Sequence, residues 1–188
     1  MDANVNFKAL AFFFSGVLTL VIVNKPEVSK AIAWSYGGLC IFIAAIAVDF
    51  ALACIFTPMQ AGGIVSAVVL VIVEAIMLLI LRSLYTTKYI LTDREIILKT
   101  TKLIGGTKTI ALEDVESVEE TLIPFGVRLF GASFHGGYYE IPNLGKAFLA
   151  ITNFNDGVLI KTKKGNYIIT PKDPAEFKEA IEKNRNGP

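Results

Sequence analysis

The hydrophobic and polar positions divide the chain into two stretches of unlike pattern. As far as Arg82 the sequence is dominated by long apolar runs with few interruptions: Ala9 to Val23, Ala31 to Phe56 and Ile64 to Leu84. Runs of this kind predict three membrane-spanning helices, at about residues 7–23, 31–56 and 62–84. The first run is short for a span, and a signal peptide is the competing reading. Its amino-terminal side is not strongly basic and no small-x-small cleavage site follows, which favours a retained helix. Thr57 to Gly63, with its proline and glycines, predicts a tight turn, so the second and third helices form an antiparallel hairpin.

From Tyr85 the pattern changes to short β-type runs separated by turn residues. Lys88–Leu91 and Glu95–Lys99 flank Thr92-Asp93-Arg94 as a hairpin. Gly105-Gly106 turns into Thr107–Leu112, and Glu113-Asp114 precedes Val115–Leu122. Ala147–Thr152, Gly157–Thr162 and Asn166–Thr170 follow, with Lys163-Lys164-Gly165 as the last hairpin turn. Asp173-Pro174-Ala175-Glu176 is a strong helix start: Asp at the cap, Pro at the first position and Glu at the third. Phe177, Ala180 and Ile181 supply that helix's apolar face.

Composition agrees with a division between two solvents. The chain of 188 residues is 53% hydrophobic, with a mean hydropathy of +0.56, high for a soluble domain. Only Lys8, Lys25, Lys30 and Arg82 are basic, and only Asp2, Glu27, Asp49 and Glu74 acidic, in the stretch ending at Arg82. The remaining charges lie beyond it and nearly cancel. A formal net charge of +1 excludes the strong positive excess that nucleic-acid binding needs. Cys40 and Cys54 lie far apart along one helix axis, so they cannot form a disulfide and read as small hydrophobes. With three spans, Lys25, Lys30, Arg82, Lys88 and Arg94 fall on one side of the membrane. The positive-inside rule then puts the amino terminus outside and the carboxy-terminal domain in the cytoplasm of a multi-pass plasma-membrane protein.

The carboxy-terminal half resembles a known family. The residues that carry the resemblance are Tyr89-x-Leu91-Thr92-Asp93, Ile110-x-Leu112-Glu113-Asp114-Val115, Arg128-Leu129-Phe130-Gly131, Gly137-Tyr138-Tyr139 and Asn143-Leu144-Gly145. Gly157–Thr162, Gly165–Pro171 and Asp173-Pro174-x-x-Phe177 continue it. Together they are similar to the prokaryotic pleckstrin-homology-like (PH-like) domains, which often follow transmembrane helices in small membrane proteins. The resemblance implies a mainly β barrel of roughly seven antiparallel strands, plugged at one end by a carboxy-terminal helix. The expected organisation is a transmembrane domain over residues 1–84, a PH-like domain over 85–184 and a tail at 185–188. Eukaryotic PH domains hold phosphoinositides with Lys and Arg around the first strand pair. Here that turn is Thr92-Asp93-Arg94-Glu95, mixed in charge, and specific inositol-lipid binding is not expected.

Candidate functional residues fall into three groups. Asp49 and Glu74 are acids within apolar spans, and intramembrane acids are functional candidates by default. Three readings are open: hydrogen-bonding across the helix hairpin in protonated form, pairing with a partner membrane protein or second copy, or carrying protons or cations. The segment Pro124–Gly145 mixes glycines with Phe125, Arg128, Phe130, Phe134, Tyr138 and Tyr139, a composition that suits partner binding, packing at the barrel mouth or resting on the membrane interface. Arg82, Lys88, Lys161, Lys163 and Lys164 are candidates for contact with anionic lipid, the alternative for the 161–164 hairpin being a solvated turn.

No catalytic pattern emerges. His135, the only histidine, has no motif-placed acid to orient it, and its glycine-rich surroundings predict a flexible loop. Gly105-Gly106-Thr107-Lys108-Thr109 lacks the ending of a phosphate loop and reads as a turn. The expectation is therefore a non-enzymatic membrane protein without metal or cofactor, whose PH-like domain docks a protein partner or a second copy. The alternative is an accessory subunit of a transporter or ion-handling complex that uses Glu74 and Asp49.

Overall fold

The structure, a computed structural model, describes residues 8–14, 17–56, 60–102, 105–133 and 135–186. It opens with strands β1 (Lys8–Phe14) and β2 (Val17–Asn24), followed by helices α1 (Lys30–Phe56) and α2 (Gln60–Thr86). Strands β3 (Lys88–Leu91), β4 (Glu95–Lys99) and β5 (Lys108–Ala111) come next, and a single 3-10 turn at Leu112–Asp114 leads into β6 (Val115–Leu122). Then come β7 (Val127–Ser133), β8 (Gly136–Ile141), β9 (Gly145–Ala150), β10 (Asp156–Thr162), β11 (Gly165–Ile169) and helix α3 (Pro174–Asn186).

The first apolar run is a β-hairpin, not a helix. Lys8 pairs with Val23 and Phe14 with Val17, and β2 continues onto β3 through Ile22 opposite Leu91 and Val23 opposite Ile90. The physical reason lies in residue type. Phe12, Phe13, Phe14, Val17, Thr19, Val21, Ile22 and Val23 are aromatic or β-branched and suit a pleated surface, and a Ser-Gly pair divides them. A short apolar run does not by itself separate strand from helix; an available neighbouring strand decides. Two further contacts secure the chain after β2. The buried Asn24 accepts a hydrogen bond from Lys172 N at 3.1 Å, and Glu27 O accepts one from Thr152 Oγ1 at 3.1 Å.

Two consequences correct the sequence reading. The described residues contain two helices long and apolar enough to cross a membrane, not three. The described residues up to Val28 belong with those from Ser83 onward in one compact unit, so the amino-terminal hairpin is part of the sheet domain and not a separate span. The second unit, from Ser29 to Arg82, is helical. Its large side chains Ile41, Phe42, Val65, Val68, Val71 and Ile72 are all exposed.

The barrel expectation also needs correction. The strands form two open sheets, of order β1-β2-β3-β4-β5 and β6-β10-β11-β9-β8-β7. The separation falls at the Leu112–Asp114 turn, which sends β6 away from β5 to pair with β10. The pairing of β9 with β11 is parallel. Between the sheets lies a core of Tyr89, Leu91, Ile96, Leu98 and Ile110 from one side and Phe148, Ala150, Val158, Ile160 and Ile169 from the other. Phe177 and Ile181 of α3 close it, each fully buried and each stabilising by about 1.5–3 kcal/mol. The strand period of two puts Ala147, Leu149, Leu159 and Ile168 on the opposite face, in a second cluster with Tyr139 and Ile141.

Local signals read from the sequence form as expected. Asp173 Oδ1 accepts from Glu176 N at 3.0 Å and caps α3. The β3–β4 and β10–β11 hairpins close at Leu91 opposite Ile96 and Thr162 opposite Gly165. At the end of α2, the Thr86 and Thr87 hydroxyls both donate to Ser83 O, at 3.1 and 3.0 Å, satisfying a carbonyl the helix leaves without an intrahelical partner. Thr87 alone separates this helix from β3.

Tyr89 supplies the first test. Its hydroxyl donates to Ala150 O at 2.5 Å and accepts from Thr170 N at 3.4 Å, and burial pushes its pKa up from 10.0 to about 12. A neutral phenol favoured by folding makes stability complete below about pH 10 and diminishing as pH rises towards 12, by about 3 kcal/mol across that window. Tyr89→Phe is expected to lose about 1–2 kcal/mol at neutral pH and to flatten the alkaline limb of chemical denaturation. The second test concerns the hairpin: Val23→Pro removes a ladder donor from a strand paired on both sides and should destabilise the sheet unit by about 3 kcal/mol. An unchanged melting temperature would place this segment outside the sheet.

Candidate functional site

Where the two sheets meet near β8, the residues before β5 close on the hairpin of β7 and β8. Gly105 makes the approach possible. Its φ of +129° suits glycine, and a Cβ there would stand 2.6 Å from the Phe148 ring. The result is a groove of about 730 Å³ lined by Lys102, Gly105, Gly106 and Lys108 on one side and Arg128, Leu129, Phe130, Gly137, Tyr138 and Phe148 on the other. Phe148 forms the floor. It is almost fully buried and meets Tyr138 edge-on, with ring centroids 5.3 Å apart.

The electrostatics of this groove are one-sided. Lys108 Nζ lies over the rings of Tyr138 and Phe148, 5.3 and 5.4 Å from their centroids. Lys146 of β9 sits over Tyr138 at 4.9 Å. Among the described residues, three cationic ones and no acidic one line the groove. Among the described residues neither Lys102 nor Lys108 has an ion pair.

Of the residues expected at a partner site, the structure brings Arg128, Phe130 and Tyr138 together here. Tyr139, the next residue in a strand, points the other way into the second core cluster. Burial raises its phenol pKa, and the charge of Arg128 partly opposes this. Phe125 stands apart at 95% exposure, in a smaller cleft with Val127, Glu140 and Pro142. Phe134 lies outside the described residues. Lys102, Lys108 and Lys146 were not singled out in the sequence. A signal existed in Gly105-Gly106-Thr107-Lys108, which is indeed a turn into a strand, but nothing in the residue order shows that it faces Tyr138.

His135 does not occupy a flexible loop; it is buried at the turn between β7 and β8. Its carbonyl accepts from Ile151 N at 2.8 Å, and its ring lies 5.3 Å from that of Phe154. Burial pushes its pKa down to about 4, which keeps the imidazole neutral near pH 7.

The lysines proposed for lipid contact are partly committed elsewhere. Lys161 pairs with Glu119 at 2.7 Å and Lys164 with Asp114 at 2.6 Å. The hydrogen bond from Lys161 holds the Glu119 carboxyl below its usual range, and Asp114 raises the Lys164 pKa. Lys163, Lys88 and Arg82 are exposed. In the helical unit Asp49 is exposed and Glu74 half-buried, and neither makes a hydrogen bond or ion pair among the described residues.

A further surface adjoins the groove. Strand β7 ends the six-stranded sheet, so one of its edges has no neighbouring strand among the described residues. Its Val127 and Phe130 are 70% and 78% exposed, and Leu122 and Phe125 just before it are exposed as well.

No curated protein and no solved structure matches the chain. The family model for the bacterial PH domain does match, over residues 87–185, more than half of the 188. That match makes this chain a member of the bacterial PH domain family, and the matched residues hold strands β3 to β11 and the closing helix α3, with β1 and β2 added to the first sheet from outside those limits.

Proposed function

We propose that this chain is a membrane-anchored, non-enzymatic docking or assembly module whose PH domain binds a protein partner or a second copy at the cytoplasmic membrane surface. The observation that carries the reading is the apolar edge at β7. A sheet edge offers unpaired N–H and C=O groups to an added strand, and native proteins usually blunt such edges with charge. Here, beside the single charge of Arg128, it carries Val127, Leu129 and Phe130, preceded by Leu122 and Phe125, these five all exposed. Aromatic side chains of this kind are the usual anchors of protein interfaces.

Membrane anchoring rests on α1 and α2. Most of their large apolar side chains are exposed, with Ile32, Cys40 and Ile43 of α1 buried, and so wide an apolar surface suits hydrocarbon rather than water. With two spans, Lys25 before α1, Lys30 at its start, Arg82 near the end of α2 and Lys88 after it still share one side, and residues 57–63 at the opposite ends of the helices carry no Lys or Arg. The positive-inside rule assigns that basic side, and the domain with it, to the cytoplasm.

Two outcomes test these readings. In a Cys40→Ser, Cys54→Ser background, a cysteine at Lys163 should resist a membrane-impermeant reagent in intact cells while one at Gln60 reacts; the opposite pattern reverses the orientation. For docking, Phe125→Ser with Val127→Lys should dissociate the stoichiometric complex or oligomer seen by native mass spectrometry from detergent-extracted membranes, with no change in the melting temperature. Glu74→Gln should leave that complex intact. If Glu74→Gln dissociates it and the β7 substitutions do not, the docking role of β7 is wrong.

A further inference from the structure

We propose that the groove between the turn before β5 and the β7–β8 hairpin is a binding site for an organic anion: a phosphate, sulfonate or carboxylate joined to a flat apolar body. Charge comes first in the argument. Lys102 and Lys108 arrive from the five-stranded sheet side and Arg128 from the six-stranded sheet, and no acid among the described residues lines the space they share. A cleft of comparable size beside the β3–β4 hairpin is lined by Asp93, Glu95 and Glu113 as well as Arg94 and Arg185, so its charges largely cancel. Convergent cations without acids favour an anion held by charge-assisted hydrogen bonds.

Size and floor then define the rest of the ligand. About 730 Å³ lies within the range of small-molecule sites, roughly 300–1,000 Å³, and a bare inorganic ion would fill little of it. The floor is the buried Phe148 ring, braced edge-on by Tyr138 and Tyr167 at 5.3 and 6.2 Å. Phe130 and Leu129 form an apolar wall from β7. Gly106 leaves open space where any side chain would stand. Lys108, held over the Tyr138 and Phe148 rings, brings its charge to the boundary between this apolar surface and the mouth. An anionic head at the lysines with a flat body against the rings satisfies both halves of the groove.

This site does not rest on the docking reading, since Lys102 and Lys108 take no part in the β7 edge. The probe is naphthalene-1-sulfonate, titrated calorimetrically into the full chain in phosphatidylcholine nanodiscs, with empty discs as the blank. One saturable site per chain is expected, with no binding of the uncharged naphthalene-1-sulfonamide. Lys102→Ala with Lys108→Ala should weaken it roughly tenfold or more, and added salt should weaken it in the parent chain. Lys102→Gln, at an exposed turn position, serves if the double variant does not fold, while Phe125→Ser with Val127→Lys should leave the affinity unchanged. Repeating the titration in discs containing phosphatidylglycerol separates the sources. Displacement of the sulfonate there identifies a lipid phosphate as the anion and overturns the flat-body half of the proposal, and unchanged affinity supports a free molecule. Equal binding of the sulfonamide, unchanged affinity in the folded lysine variants, or no saturable binding overturns the proposal.

Discussion

The hydroxyl of Tyr89 is the contact on which the sheet unit turns. It sits on β3, the first strand after the helices, and reaches across the core to Ala150 O on the opposite sheet and to Thr170 N after β11. A buried phenol without partners would cost several kcal/mol; satisfied twice, it fixes how the two sheets face each other. Around it, Thr152 N donates to Thr170 Oγ1 at 2.8 Å, and the Thr152 hydroxyl reaches Glu27. The same region therefore holds both sheets and the chain leaving β2. The ring of Tyr89, 6.4 Å from that of Phe177, also meets the helix that closes the core.

From this junction the six-stranded sheet buries apolar side chains on both faces, with two distinct clusters alternating along β9 and β10. Such a sheet leaves little polar surface in its middle, and its variation is confined to its ends. At one end β6 contacts α3, where Arg185 donates to Glu116 O at 3.0 Å. At the other, β7 has no neighbouring strand on one edge among the described residues and is bulged, with register shifts after Arg128 and Phe130. Bulges twist an edge and re-aim side chains, which places Arg128, Leu129 and Phe130 all on the groove.

The groove is a product of packing between sheets. Each contributor alone has a bland explanation: Lys108 opens a strand, Tyr138 is a strand aromatic, and Gly105 serves a turn. Their convergence gives cations beside aromatic rings with no acid in the lining among the described residues. The Lys161 and Lys164 hairpin shows the contrast, because strand pairing there brings each lysine to a carboxylate.

Periodicity and end signals made several elements legible from residue order alone. The two long apolar helices, the β3–β4 and β10–β11 hairpins and the capped α3 depend on neighbours within a few residues, so their determinants are local. The family resemblance likewise followed from the order of turn and strand motifs. The amino-terminal run did not declare itself, because a short, mainly apolar stretch without strict alternation satisfies a short helix and a buried hairpin alike, and only the exposed edge of β3 chose between them. Nor did residue order show that the sheets stay open at Leu112–Asp114, that β9 runs parallel to β11, or that Tyr138 and Tyr139 serve opposite faces. These depend on contacts between residues far apart in sequence, whose free energy exists only once the two sheets have packed.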